Sequence, residues 1–438
     1  MQGIRKLPFL LLATLFAFAG CGGSGGGNDS NGGSCSNDVQ KQFVLDSMRD
    51  VYLWNDLLPA SVNIDAHATP EALLAFLTSF QPLDDFSFIN SAAADSAFFG
   101  EGQFEGFGFS SRFEAADDLR FTRVFADSPA NLAGFERGQR ILALDGRTIA
   151  EIENNEGLGA VFAQSPLEFT IRRLDGSEFV VSVAHDLVTI DPVPQWRIID
   201  VGTSMVGYVE LATFISTADA VFDDVFAEFR QSGVNDVIID LRYNGGGLVS
   251  TTELLGDYFG GDIADGLIFS KTIFNDNNAA SNRTEFFTRL GNSMSLSRLA
   301  VIATSNTASA SELITNSMEP HAEVTIVGSN TFGKPVGQVG LEFCEKILRP
   351  TAFETVNAND EGGYFDGLPA DCVASDDLAI PVGDDADPNV VAALEFFATG
   401  ACPVVQAAQG EIPAQGVGLA VPRIDLRGPP WREFAGAF

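Results

Sequence analysis

Residues 303–313 read Ala-Thr-Ser-Asn-Thr-Ala-Ser-Ala-Ser-Glu-Leu, and residues 323–338 read Glu-Val-Thr-Ile-Val-Gly-Ser-Asn-Thr-Phe-Gly-Lys-Pro-Val-Gly-Gln. Residues 299–304 are a short apolar run rich in β-branched side chains, residues 309–318 have helical spacing, and residues 323–328 are a second apolar run. Ser309 therefore stands where a strand turns into a helix, and Lys334 just past the next strand. These elements belong to an alternation of strands and helices from Met205 onward, which implies an α/β core.

A serine at a helix start has free backbone N–H groups beside it that can hold a developing oxyanion. Its alcohol is inert until a base takes the proton, and a lysine does so only when burial or neighbours make it neutral at working pH. Lys334 is one of only five lysines, so it is no sample of a generic charged surface. The same residues admit a plainer reading. Ser309-Ala-Ser-Glu312 is also a capping box, in which Ser309 terminates the helix and Glu312 reaches back to its N–H.

Thr-Ala-Ser-Ala-Ser-Glu followed by Thr-Phe-Gly-Lys-x-x-x-Gln resembles the paired active-site motifs of the carboxyl-terminal processing peptidases, also called tail-specific proteases. The resemblance implies Ser309 as nucleophile, Lys334 as general base and Gln338 as the residue that orients the lysine amine. Where that family usually has Gly-Ser-Val between lysine and glutamine, this chain has Pro335-Val336-Gly337. The spacing is kept, so the departure bears on loop conformation rather than on chemistry.

A third motif lies upstream. Residues 234–241 are an apolar strand ending in Asp240-Leu241-Arg242-Tyr243-Asn244-Gly245-Gly246-Gly247, with helical spacing over 251–259. A glycine run between strand and helix can cradle phosphate. This one lacks the lysine and hydroxyl of a P-loop and the spacing of a dinucleotide site. It resembles the same family's Asp-Leu-Arg-x-Asn-x-Gly-Gly, whose glycines are implicated in the oxyanion hole. That implies donors at Gly246 and at the N–H of Ala310, with Gly247 the alternative if the register differs by one. Asp240 and Arg242 read as an internal pair shaping the loop.

With 438 residues and 45% apolar content the chain can form two or three domains with real cores. Its net charge of 25 − 59 = −34 repels nucleic acid and anionic lipid and reads as a solvated acidic surface. The three histidines, His67, His185 and His321, are scattered, and no cysteine pair has close ligand spacing. No metal or organic cofactor is expected.

Residues 1–21 have a basic start at Arg5 and Lys6, an apolar run, and small residues before Cys21, which reads as an export signal. Phe18-Ala19-Gly20-Cys21 resembles a bacterial lipobox, implying cleavage and acylation at Cys21; Gly22 rather than Asp after it implies the outer membrane, facing the periplasm. Export places Cys35, Cys344, Cys372 and Cys402 in an oxidising compartment with three pairings open, of which we expect Cys372 with Cys402.

The expected map is a lipoprotein signal peptide over 1–21, a flexible linker over 22–37, a helical region over 38–100, a PDZ-like domain over 101–188, the α/β catalytic domain over 189–404 and a tail over 405–438. Helices are expected over 38–54 and over 70–80, the second with Thr69 as cap and Pro70 at its first position. The aromatics of residues 52–54 and 84–89 read as core, in a region resembling lipoprotein members of the family. Residues 128–134 and 138–146 closely resemble a PDZ domain, which binds an extended peptide as an added strand. That resemblance makes Phe107-Gly108-Phe109 the carboxylate-binding loop; the other reading is a buried strand start.

Together these residues describe a membrane-tethered serine endopeptidase with a Ser-Lys dyad. It would cut exported proteins near C-termini captured by the PDZ unit. The alternative is an inactive relative that binds peptide termini as a scaffold or sensor, against which the intact Ser309, Lys334 and Gln338 weigh.

Overall fold

The computed structural model describes residues 35–202 and 204–403. The expected signal peptide with Cys21, most of the expected linker and the whole of the tail over 405–438 lie outside the described residues.

The centre is a six-stranded sheet in the order Gln195–Asp200, Met205–Glu210, Asp236–Asp240, Arg298–Ala303, Glu323–Gly328 and Cys372–Val373. The first pair is antiparallel and the rest are parallel. Parallel strands need both faces covered, which is why they read as continuous apolar runs. Helices Ala218–Gln231, Val249–Ala264 and Ala310–Met318 cover one face through Phe222, Phe259 and Ile314. Helix Pro388–Thr399 covers the other through Val390 and Phe397.

A β-rich unit precedes this sheet. Its strands run in the order Phe109–Ala115, Asp118–Val124, Arg140–Leu144, Leu167–Arg172 and Glu178–Val183, with the first at the sheet's end. Asp145 and Gly146 both take positive φ in the tight turn that their sequence predicts. The Leu167–Arg172 and Glu178–Val183 hairpin closes about Asp175-Gly176 as expected. A phenylalanine-rich core holding Phe109, Phe121, Phe135 and Phe169 fills the unit.

The N-terminal helices are Asn37–Val51 and Pro70–Thr78; the Thr69 hydroxyl accepts from the Ala72 N–H, with Pro70 in the first turn. They bury Met48, Tyr52 and Leu73 against Phe343 and Leu348, which follow the lysine motif in sequence. Strand Phe88–Ser91 pairs antiparallel with Lys346–Arg349. The expected Cys372–Cys402 disulfide forms, and Cys35 with Cys344 is the second. This N-terminal region is thus bound to the strands beside Lys334, a juxtaposition that local sequence pattern cannot express.

Candidate active site

Strands Asp236–Asp240 and Arg298–Ala303 are parallel neighbours with Asp240 opposite Ile302, so the loops leaving their carboxyl ends emerge side by side. That edge is where open α/β sheets place their sites. Asn244 joins the two loops: its carbonyl accepts from the Ala308 N–H and the Ser311 hydroxyl, each at 3.0 Å, and its amide Nδ2 donates to the Leu211 carbonyl at 2.8 Å. The expected internal pair forms too. Arg242, 1% exposed, lies 2.6 Å from Asp240, which is wholly buried.

Ser309 precedes helix Ala310–Met318 with φ 56° and ψ −113°. A non-glycine residue at such a φ stores backbone strain, which persists only where the surroundings enforce it. Gly246 leaves room for it: a Cβ there would lie 2.8 Å from that of Ser309. Glu312 holds it in place. Its carboxylate, fully buried, accepts from the N–H groups of Ser309 (2.9 Å), Lys334 (2.8 Å) and Gly333 (2.7 Å), and from the Thr331 hydroxyl. Burial pushes its pKa up and these four donors pull it back. The capping-box reading of Glu312 thus holds, and the same carboxylate also fixes the backbone that carries the lysine.

Lys334 is partly buried, and its Nζ donates to Gln338 Oε1 at 2.9 Å. The Gln338 amide donates in turn to the carbonyls of Phe86 and Arg349. Burial lowers the Lys334 pKa from 10.5 to about 8. Asp84 and Glu312 act against that fall and Arg349 with it. Ser309, Lys334 and Gln338 line one cavity of about 320 Å³, walled by aromatic rings including Phe86, Phe332 and Phe353. The lysine's hydrogen bond here is to Gln338, and no bond from its Nζ to the Ser309 hydroxyl is found among the described residues.

The oxyanion expectation needs one correction. Gly246 gives its N–H to Asn244 Oδ1 at 2.9 Å, so that donor is already spent. Gly247 lines the cavity instead, and among the described residues no hydrogen bond takes its N–H or that of Ala310. Of the two registers, Gly247 is the one that lines the cavity with its N–H uncommitted among the described residues.

Phe107 and Phe109 are both wholly buried among the rings of the β-rich unit's core, so in this structure they fill that core rather than wall an open pocket. Strand Phe109–Ala115 keeps one side unpaired within its sheet. His185 and His321 bond the carbonyls of Phe162 and Ile268, His67 packs on Phe76, and none of the three lines the Ser309 cavity. Sequence reasoning missed Asp84 and Phe86 as parts of this site, since the aromatics of 84–89 read only as core. Asn244 stands in the glycine motif, where its sequence position alone gives no sign that it ties the two loops together.

Residues 205–372 match peptidase family S41, and residues 39–88 match the peptidase S41 N-terminal domain. The chain belongs to peptidase family S41. Among curated relatives of this S41 chain are the carboxyl-terminal-processing protease of Synechocystis sp., 26% identical over 53% of each chain, and the chloroplastic C-terminal processing peptidase of Tetradesmus obliquus, 28% identical over 50% of this chain and 48% of that one. The chain thus spans about half the length of the curated relatives it matches. An S41 protease structure from Bacteroides fragilis superposes with a TM-score of 0.64 at 22% identity, covering 81% of this chain and 97% of that one. The photosystem II D1 C-terminal processing protease gives 0.51 at 19% identity, covering 78% and 94%. These likenesses carry the S41 fold, a multidomain α/β peptidase core.

Proposed function

We propose that this chain is a serine endopeptidase with a Ser309–Lys334 dyad that cuts exported proteins near their C-termini. The observation that carries this reading is the amine of Lys334, held by Gln338 and depressed to about 8 by burial, in the same cavity as a strained serine. Neutral Lys334 takes the Ser309 proton as the alcohol attacks the scissile carbonyl, and returns it to the leaving amine. The N–H groups of Gly247 and Ala310 stabilise the tetrahedral oxyanion. Water, deprotonated by the same amine, then releases the acyl group. Gln338 aims the amine, and Glu312 keeps nucleophile and base at a fixed separation through their own N–H groups.

The β-rich unit acts as the PDZ module that captures the substrate tail, for which the unpaired side of strand Phe109–Ala115 offers main-chain pairing. In this reading Phe107-Gly108-Phe109 contributes backbone, since its rings are committed to the core. Acylation at Cys21 tethers the enzyme to the envelope, where its substrates are. The relatives named as carboxyl-terminal processing proteases favour the same substrate class.

The test is mass spectrometry of peptides released from a denatured exported protein by wild type and by Ser309→Ala. New C-termini should appear with wild type alone. Equal rates of cutting by the two would refute the assignment.

A further inference from the structure

Gln338, which orients Lys334, is itself oriented from the far end of the chain. Its amide donates to the carbonyl of Phe86, and that carbonyl sits in a turn built on one buried carboxylate. Asp84, 7% exposed, accepts with Oδ1 from the N–H groups of Phe86 (3.1 Å) and Ser87 (3.0 Å) and from the Thr351 hydroxyl (2.9 Å). Its Oδ2 accepts from the Ser87 hydroxyl at 2.7 Å, and the Ser87 oxygen in turn accepts the Thr351 N–H at 2.9 Å. Within the same turn the Phe86 ring centroid lies 5.3 Å from Lys334 Nζ. A buried carboxylate with four donors on it holds a fixed geometry, since losing it would strand buried polar groups.

We propose that Asp84 is a positioning residue for the Lys334 base. It fixes the Phe86 carbonyl that orients Gln338 and sets one negative charge close to the amine. The inference rests on the reading of Lys334 as base.

The charges around that amine come from three elements. Asp84 contributes from the N-terminal turn, Glu312 from the start of helix Ala310–Met318, and Arg349 from strand Lys346–Arg349, with its own partner Asp95 at 2.6 Å. The buried phenol of Tyr52 lies near Asp84; burial pushes its pKa up, so it stays neutral. Asp84 and Glu312 favour the ammonium form and Arg349 opposes it. Removing the charge of Asp84 must therefore move the amine's titration to lower pH, and removing that of Arg349 must move it to higher pH. A residue with a purely structural role would move neither.

The experiment is the pH dependence of kcat/KM on an internally quenched peptide for the full chain. Wild type should rise through one ionisation near pH 8. Asp84→Asn keeps an acceptor for the turn but loses the charge. Its midpoint should fall by up to about one pH unit, the lower end of what a nearby opposite charge contributes. Its plateau should drop by no more than about tenfold, the scale of one weakened positioning bond. Asp84→Ala should shift the midpoint alike and lose more of the plateau. Arg349→Met should shift the midpoint upward. Should Asp84→Asn fail to fold, Ser87→Ala supplies the answer: it leaves the charge and drops two turn bonds, so plateau loss at an unmoved midpoint is expected, and an unchanged plateau overturns the positioning role. A wild-type midpoint near pH 8 that Asp84→Asn leaves in place overturns this proposal alone, whereas a flat wild-type profile overturns it together with the Lys334 reading.

Discussion

Replacing Lys334 by methionine should abolish turnover and, at neutral pH, make the protein more stable. The amine's pKa is lowered from 10.5 to about 8 by burial. Below pH 8 both folded and unfolded chains carry the charge, and the folded chain bears the full cost of holding it out of water. Between pH 8 and 10.5 the unfolded chain binds a proton that the folded chain does not, so folding gains stability as pH rises. Above that window both forms are neutral and the cost is gone. At ~1.4 kcal/mol per pKa unit, discounted because the side chain touches the cavity, the charge costs about 2–3 kcal/mol at pH 7. Methionine removes that cost but strands the Gln338 oxygen, a loss of about 1 kcal/mol at every pH. The net expectation is a gain of about 1–2 kcal/mol at pH 7 that becomes a loss of about 1 kcal/mol above pH 10.5. Urea denaturation of Ser309→Ala with and without Lys334→Met, at both pH values and constant salt, isolates the effect from self-digestion. A difference that is the same at the two pH values would mean that the amine is not depressed, and the base assignment would lose its physical ground.

Three further outcomes follow from the same geometry. Glu312→Gln turns an acceptor toward two N–H groups into a donor, so it should cost about 2–4 kcal/mol and at least tenfold in kcat; a urea midpoint and a rate both near wild type would refute the bridging role of that carboxylate. Gly247→Ala places a Cβ 2.0 Å from the Phe214 carbonyl at a φ of 141°, and by moving an oxyanion donor should lower kcat by about two orders of magnitude; steady-state kinetics on the folded variant checks this, and undiminished kcat would remove Gly247 from the oxyanion hole. Serines in place of Cys35 and Cys344 open a covalent link across 309 positions, which should cost about 3–5 kcal/mol and lower the inactivation temperature by loosening the segment that carries Phe86; identical thermal-inactivation curves would show that the N-terminal region holds without it.

What the sequence discloses here depends on how a group announces itself. Ser309, Lys334 and Gln338 are readable because each proposed role demands one side chain, and the three stand close in sequence, Ser309 at the helix start and the other two just past the strand that follows. The glycine loop is readable in outline, yet the N–H it leaves uncommitted is one position later than expected, because only folding reveals that Asn244 consumes the donor of Gly246. The phenylalanines of the β-rich unit carry both meanings in sequence, and packing resolves their rings in favour of core. The contact that aims Gln338 leaves no trace at all. It is made by a backbone carbonyl 252 positions away, and any residue at position 86 would supply that oxygen. The part that does require a particular side chain is Asp84, whose carboxylate looks from sequence like an ordinary turn-former. A base built this way needs the N-terminal region docked before its amine is aimed, so the fraction of chains with that region undocked should be inactive even where Ser309 and Lys334 are in place.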